Sequence, residues 1–252
     1  MARTVTAAVI VIGTEILTGR TKDVNLGFVA ERLAALGVRL REARVVPDEE
    51  AAIIAAVNAC RKAYDYVFTT GGIGPTHDDI TARAVARAFE APLERNLQAV
   101  ALLEAHYRET GRELNAARLK MAEMPKGARL VPNAVSKAPG FQIENVFVFA
   151  GLPAIMQAMF MAVEDRLQRG TPVCARTLIV HLPEGTVAAG LEAVQNRFPG
   201  VEIGSYPFYG DGVLGTNLVL RSTDATRLDD AIAAVKTFVA GLGAQALEGE
   251  AG

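Results

Sequence analysis

The feature that most constrains the fold is a run of eight apolar and β-branched residues early in the chain. Residues 5–12 read VTAAVIVI and lack the polar alternation of a strand with one solvated face. Strands of this kind are typical of parallel sheets that helices cover on both faces. Residues 24–36 follow with apolar side chains at helical spacing, and Gly37 ends that segment. The same alternation continues to residue 89, so it predicts a three-layer α/β fold with a mainly parallel sheet.

Apolar spacing and turn residues bound the remaining elements up to residue 170. Asp23 and Asp48 are candidate N-caps of the first two long helices. Pro153 is expected to open a later helix, because proline fits the first helical turn. The predicted strands are 5–12, 38–46, 66–69, 129–131, 141–143 and 146–149, and the predicted helices are 24–36, 49–62, 81–89, most of 94–122, and 153–168.

A different pattern begins after Gly170, Thr171 and Pro172, which resemble a linker. We therefore expect two domains, residues 1–170 and residues 171–252. The predicted order in the second is strand 176–181, helix 187–198, strands 202–206 and 214–221, helix 225–242 and strand 244–247. This βαββαβ order predicts a small ferredoxin-like α+β domain.

Composition excludes several functional classes. The chain has 26 basic and 28 acidic residues and a net charge of −2, which gives no electrostatic case for nucleic-acid binding. No apolar run reaches the length of a membrane-spanning helix, and the first residues lack the regions of a signal peptide. Cys60 and Cys174 form no CxxC pattern, which favours a reduced, cytoplasmic protein.

The most informative motif is TGGIGPTHDDIT, residues 70–81, which follows the predicted third strand. Gly71, Gly72 and Gly74 allow the backbone to approach a ligand and present N–H groups to phosphate. The adjacent carboxylates Asp78 and Asp79 fit a divalent cation that also contacts substrate phosphates. The structural alternative is a capping box, because Asp79 lies three residues after Thr76.

Two further segments carry polar side chains next to predicted strand ends. The first is GTEILTGRTKDVN, residues 13–25; within it Glu15 is a candidate catalytic acid or a solvated loop residue, and Asn25 can cap a helix or reach a ligand. The second runs from Pro125 to Phe141, where Lys137 can reach a phosphate or remain an exposed loop lysine.

Taken together and in this order, the three segments resemble the MoaB/Mog (molybdopterin-binding) superfamily. Within it they are most similar to the amino-terminal domain of competence/damage-inducible protein A (CinA) and to the molybdopterin-binding-like domain of FAD synthases. The resemblance covers about residues 5–168 and implies an α/β/α sandwich with a mixed, mostly parallel sheet. It also implies no nicotinamide mononucleotide deamidation, since no segment matches the CinA domain that performs it.

The resemblance implies a site as well as a fold. The implied catalytic residues are Asp78, Asp79 and Glu15, and the implied metal ligands are Asp78, Asp79 and Asp23. The implied substrate and phosphate contacts are Gly13, Thr14, Asn25, Thr70, Gly71, Gly72, Gly74, Thr76, Lys137, Pro139 and Gly140.

Three functional hypotheses follow from the resemblance. The first is hydrolysis of a nucleoside diphosphate linkage, of the ADP-ribose or FAD type, with Mg²⁺, Mn²⁺ or Co²⁺ as the cofactor. The second is molybdopterin binding or adenylylation, and the third is a ligand-binding module without catalysis. We expect a small phosphate-containing ligand and a homo-oligomer, and neither a nucleic-acid nor a membrane partner.

Overall fold

A computed structural model describes residues 4–210 and 212–249, and the chain divides into two compact units between Gly170 and Thr171. In the first unit the strands are β1 (Val5–Ile12), β2 (Val38–Val46), β3 (Tyr66–Thr70), β4 (Leu93–Arg95), β5 (Glu123–Pro125), β6 (Arg129–Val131), β7 (Gly140–Ile143) and β8 (Val146–Phe149). Its helices are α1 (Thr14–Leu17), α2 (Asn25–Ala35), α3 (Glu50–Ala63), α4 (Thr81–Ala88), α5 (Leu97–Glu109), α6 (Ala116–Leu119) and α7 (Pro153–Met161).

The main sheet of this unit has the strand order β2-β1-β3-β8-β7-β6. The first four strands are parallel, whereas β7 is antiparallel to both β8 and β6. The sheet is thus mixed and mostly parallel, as predicted. The carboxyl ends of β1, β3 and β8 meet at one edge, where α/β folds bind ligands.

Both faces of the sheet are covered, which confirms the three-layer fold. Ile10 of β1 packs in a core with side chains of α3, α4 and α5, whereas its neighbour Val9 packs in a second core with α2 and α7. Successive residues of a strand point to opposite faces, so a continuous apolar strand serves both cores.

The second core is rich in phenylalanine. The ring centroid of Phe68 lies 5.3 Å from Phe147, 5.9 Å from Phe149 and 5.4 Å from Phe160. All four side chains are fully buried. This cluster ties β3 and β8 to α7, directly behind the edge of the sheet at which the loops converge.

Two element predictions are wrong in detail. Asp48 does not cap a helix; α3 begins at Glu50 without a side-chain cap, and Asp48 instead accepts the backbone N–H of Thr14. The helix that begins at Pro153 ends at Met161, and a 3₁₀ turn, Glu164–Arg166, replaces its expected last part.

The second unit contains β9 (Cys174–Val180), α8 (Glu184–Arg197), β10 (Val201–Gly210), β11 (Val213–Ser222), α9 (Ala225–Gly241) and β12 (Ala246–Gly249). Its sheet is antiparallel with the order β10-β11-β9-β12. Apolar side chains of α8 and α9 share one core with the strands. This is the ferredoxin-like arrangement predicted from the βαββαβ order.

Across residues 4–210 and 212–249, none of the helices combines the length and the apolar content that a membrane crossing requires.

Candidate functional site

A cleft of about 570 Å³ lies at the carboxyl edge of the main sheet. Four loop regions line it, represented by Glu15 after β1, residues 71–79 after β3, residues 133–138 before β7, and residues 150–153 after β8. We call this space the cleft. The fold itself creates it, because neighbouring parallel strands end here and their connections diverge.

Gly71 lies where three chain segments pack against one another. Its φ is 106°, and a Cβ at this position would lie 2.1 Å from the carbonyl oxygen of Ile12. Its N–H donates to the Phe149 carbonyl at 3.0 Å. Gly71 therefore lines the cleft, but its N–H is already bonded to Phe149 and is not available to a phosphate. Close packing against Ile12 explains why this residue is glycine.

Gly72 has a related structural role, with a φ of 69° and a Cβ position 2.2 Å from the Thr81 hydroxyl oxygen. Thr81 holds the loop from the other side, since its N–H donates to the Gly72 carbonyl and its hydroxyl to the Gly71 carbonyl. These bonds fix the start of α4 against the end of β3.

The backbone N–H groups of Gly72, Ile73 and Gly74 have no acceptor within the part of the chain that the structure describes. All three residues line the cleft. Consecutive unpaired N–H groups in a glycine-rich turn form a concavity that attracts anions. This part of the loop therefore offers three backbone donors that the described protein groups leave unused.

Replacing Gly71 by alanine is expected to destabilise the first unit by more than about 2 kcal/mol, since it adds a backbone clash to an unfavourable φ. Gly127→Ala is the matched control, because Gly127 has a φ of 82° with nothing within 4 Å of its Cβ position. Its cost is expected to stay near 1 kcal/mol. Urea unfolding of both variants measures the difference, and equal costs would contradict the close-packing role.

Asp79 is half-buried beneath the glycine loop, and its Oδ2 accepts the backbone N–H of Thr76 at 2.8 Å and also the Thr76 hydroxyl. A Cβ on Gly74 would lie 2.6 Å from the same oxygen. The pair closes a turn ahead of α4, which begins at Thr81, so it is not the capping box of that helix. Asp79 accordingly fixes the position of Thr76 in this turn.

Asp78 is exposed on the wall of the cleft. The pKa of Asp78 is lowered most by the side chain of Thr76. The backbone N–H of Asp78 and the charges of His77 and Lys120 lower this pKa further. Lys120 also donates to the Thr76 carbonyl. The Asp78 carboxylate therefore stays ionised to lower pH than an ordinary aspartate.

Gly13, Thr14 and Glu15 form the turn after β1. The N–H of Gly13 donates to Val46, and the N–H of Thr14 donates to Asp48 Oδ2 at 2.8 Å. Those two N–H groups are therefore engaged within the protein. Glu15 is exposed and lines the cleft, so the structure brings it to the same space as Asp78 and Asp79.

Asp23, Asn25 and Thr70 lie together in a smaller space of about 90 Å³, which we call the recess. The recess shares part of its wall with the cleft, including Glu15 and Gly151. The three implied metal ligands are thus divided, with Asp23 in the recess and Asp78 and Asp79 in the cleft. Within residues 4–210 and 212–249, no three His, Cys, Asp or Glu side chains are grouped to hold a metal ion.

The loop before β7 contributes differently from the prediction. Lys137 is exposed with a φ of 61° and is not in the wall of the cleft. Pro139 and Gly140 are buried, and a Cβ on Gly140 would lie 2.3 Å from the Val148 carbonyl oxygen. Gly140 therefore permits the pairing of β7 with β8, which gives it a packing role.

Sequence reasoning missed Asn133, which organises this loop. Its Oδ1 accepts the N–H groups of Val135 and Ser136, and its Nδ2 donates to Ser136 Oγ and to the Ala138 carbonyl. Both Asn133 and Ser136 line the cleft. The detectable signal was Asn133 itself, because asparagine commonly accepts the backbone N–H two residues further on in an Asx turn. Asp48 and Met121 are two further wall residues that the prediction did not include, and they carry no comparable signal.

The first unit thus belongs to the class of α/β domains that bind a ligand at the carboxyl edge of a parallel sheet. Residues 8–169 match the family model described as a probable molybdopterin binding domain. The chain belongs to this family, which confirms the resemblance inferred from its motifs. Residues 172–245 match the model of the FAD synthase middle domain.

Similar proteins include a CinA-like protein from Gloeobacter violaceus, 32% identical over 91% of this chain and 56% of the relative. A probable FAD synthase from Caenorhabditis elegans is 30% identical over 94% of this chain and 50% of the relative. The chain thus spans about half the length of these two relatives. The crystal structure of the protein CinA, of unknown function, from Thermoplasma acidophilum has a TM-score of 0.60 and 33% identity, over 65% of this chain and 98% of that one.

Proposed function

We propose that the cleft binds a nucleotide through its phosphates and hydrolyses a phosphoanhydride bond with the help of a divalent cation. The observation that carries this proposal is one juxtaposition in the first unit. Gly72, Ile73 and Gly74, whose N–H groups have no acceptor among the described residues, line the same space as Asp78 and Asp79. N–H donors suit phosphate oxygens, and carboxylates beside them suit a cation that those oxygens share.

The donor set fits a cation that arrives with its substrate and does not fit a resident metal cage. The described residues contain no cluster of three potential metal-binding side chains. Mg²⁺ commonly uses one or two carboxylates and completes its shell with water and phosphate oxygens. Asp78 and Asp79 Oδ1 would hold the ion, which neutralises charge on the bridging and leaving oxygens.

The residues of the chain would then divide the work of hydrolysis. The N–H groups of Gly72 to Gly74 orient the phosphate, and Glu15 accepts a proton from the attacking water. Water oxygen forms a bond to one phosphorus atom while the bond from that phosphorus to the bridging oxygen breaks. The products are two phosphate monoesters, and an adenosine diphosphate derivative releases AMP.

We place the substrate among the dinucleotide-like diphosphates, with ADP-ribose and FAD as the first candidates. The similarity to a CinA-like protein and to a probable FAD synthase supports this choice, as does the match to the FAD synthase middle domain. The second candidate function is molybdopterin binding or adenylylation, which the description of the family model favours. A non-catalytic module is the third, because Asp79 Oδ2 already has a structural role.

The test is release of AMP measured by chromatography. The purified protein is incubated with ADP-ribose, FAD, NAD or ATP, each with Mg²⁺, Mn²⁺ or Co²⁺, and in parallel with EDTA. We expect metal-dependent AMP release from ADP-ribose or FAD and none in EDTA. Absence of AMP from every pair would reject hydrolysis and leave pterin binding as the better hypothesis.

We also propose a homo-oligomer and a cytoplasmic location. Neither Cys60, which is buried, nor Cys174, which is exposed, forms a disulfide, in keeping with a reducing compartment. Light scattering of the purified chain measures the oligomeric state, and a monomer would reject the proposed homo-oligomer.

A further inference from the structure

Both helices of the second unit pack against the same side of its antiparallel sheet. Leu178, Leu218 and Leu220 point to that side and share a core with side chains of α8 and α9. Successive side chains of a strand alternate between the two faces of a sheet, so the residues between these leucines point to the opposite side. We call this opposite side the open face.

The strand register arranges the side chains of the open face in rows that run across the strands. The central row joins all four strands and consists of Tyr206, Asn217, Ile179 and Leu247. The row on one side of it consists of Gly204, Val219, Thr177 and Gly249. The row on the other side contains Phe208 and Gly215, and the Phe208 ring centroid lies 6.2 Å from that of His181. These rows contain no Asp, Glu, Lys or Arg residue, so the middle of the open face is largely apolar.

Glycine residues let the large side chains of the open face lie flat against the sheet. A Cβ on Gly215 would lie 2.4 Å from the Phe208 ring, and a Cβ on Gly204 would lie 2.9 Å from the Tyr206 ring. Tyr206 and Leu247 nevertheless remain 48% and 50% exposed. A level apolar face of this kind suits packing against another sheet, and exposed apolar surface that is continuous typically marks an interaction site.

The open face has about the size that a stable dimer needs. With a strand spacing of about 4.8 Å and a rise of about 3.3 Å per residue, β9 to β12 cover about 500 Å² in the plane of the sheet. Side chains raise the accessible surface above this planar value, toward the roughly 800 Å² that each partner of a standard interface buries. The β10–β11 hairpin also projects beyond β9, because β11 begins at Val213 and its pairing with β9 begins at Thr216.

Charge favours a second copy of this chain over a nucleic acid as the partner of the open face. Residues 171–252 contain 5 basic and 9 acidic residues, and their net charge of −4 would repel phosphates. At one end of the face, Glu202 of β10 lies directly opposite Arg221 of β11. A face with two adjacent, opposite charges can meet its own copy across a two-fold axis without like-charge contact, as a symmetric interface requires.

We infer that the open face is the interface of a symmetric dimer, in which the sheets of two second units pack face to face. Edge-to-edge pairing through β10 is disfavoured, because Pro207 has no N–H and the N–H of Ile203 already donates to Gln195 Oε1 at 2.8 Å. The inference assigns the interface of the proposed homo-oligomer, and it does not depend on hydrolysis in the cleft.

Two variants, Tyr206→Glu and Leu247→Glu, place a carboxylate at opposite edges of the open face. Tyr209→Glu and Leu242→Glu are their matched controls. Tyr209 is 76% exposed and points to the other face of β10, and Leu242 is 42% exposed at the end of α9. All four side chains are exposed, so each variant is expected to fold, which circular dichroism checks.

The mass of the full chain in solution is measured by light scattering over a series of protein concentrations. Tyr206→Glu and Leu247→Glu are each expected to halve the mass of the parent assembly. The dissociation constant of the dimer should rise about 100-fold or more, since symmetry places every unpaired carboxylate in the interface twice. Tyr209→Glu, Leu242→Glu and the conservative Tyr206→Phe should keep the mass of the parent.

A monomeric parent would overturn the inference together with the proposed homo-oligomer. An unchanged mass in either open-face variant, or an equal loss in the controls, would overturn the inference alone. Binding of a single-stranded RNA that Tyr206→Glu abolishes would assign the open face to nucleic acid instead of a second copy. Absence of AMP release, measured separately, would reject the proposed function and leave the inference standing.

Discussion

A chain that carries Asp78→Asn together with Asp79→Asn is expected to hydrolyse its diphosphate substrate about 10²- to 10³-fold more slowly than the parent chain. The change removes two negative charges from the wall of the cleft and hence the best ligands for a divalent cation. Asparagine Oδ1 can still accept the N–H of Thr76, so the turn that Asp79 closes is retained. The measurement is kcat/KM for AMP release from ADP-ribose or FAD at saturating metal.

The control for this variant removes the same number of negative charges from a surface outside the cleft. Glu104→Gln with Glu109→Gln removes two exposed carboxylates of α5 that do not line the cleft. Its rate is expected to equal that of the parent. A double asparagine variant that retains full activity would contradict the role of both aspartates, and a slow Glu104 and Glu109 variant would show that only net charge matters.

The second large effect is expected in the phenylalanine cluster. Phe68→Ala should lower the free energy of unfolding by about 3–5 kcal/mol, because it leaves a cavity among rings that exclude water completely. The centroid of Phe68 lies within 6 Å of three other rings, so the space cannot close without moving β8 or α7. Chemical denaturation followed by circular dichroism measures the change.

Leu97→Ala serves as the comparison for Phe68→Ala. Leu97 begins α5 and is 83% exposed, so its truncation is expected to change stability by less than about 0.5 kcal/mol. A loss for Phe68→Ala as small as that for Leu97→Ala would show that the cluster does not stabilise the first unit.

Much of the fold could be predicted because local pattern and tertiary environment agree. The continuous apolar run of β1 is buried on both faces in the structure, and Pro153 does open α7. The errors arise where a contact with a residue far away in sequence determines the role of a side chain. Asp48 has the residue type of an N-cap, but the N–H of Thr14, 34 residues away, binds its carboxylate, and sequence spacing contains no trace of that contact.

The sequence predicted which loops form the site, but it predicted less well which residues of those loops face the cleft. Sequence identified Glu15, Asp78 and Asp79, which line one cleft, but placed Asp23 with them, although it lies in the recess. Glycines were expected to contact phosphate, whereas Gly71 and Gly140 are needed for packing. A glycine required for ligand binding and a glycine required for close strand packing look identical in the sequence. Only the three-dimensional surroundings distinguish the two roles.

The hydrogen bond from Asn25 to the Gly151 carbonyl has an evolutionary consequence. It joins the start of α2 to the turn before α7, and Gly151 itself lies 3.3 Å from Gly71, measured from its Cβ position to the Gly71 Cα. Residues 25, 71 and 151 come from three distant parts of the chain and contact one another in the order 25, 151 and 71. Related proteins should therefore exchange these residues together or keep all three, and specificity should diverge instead at the loop tips around them.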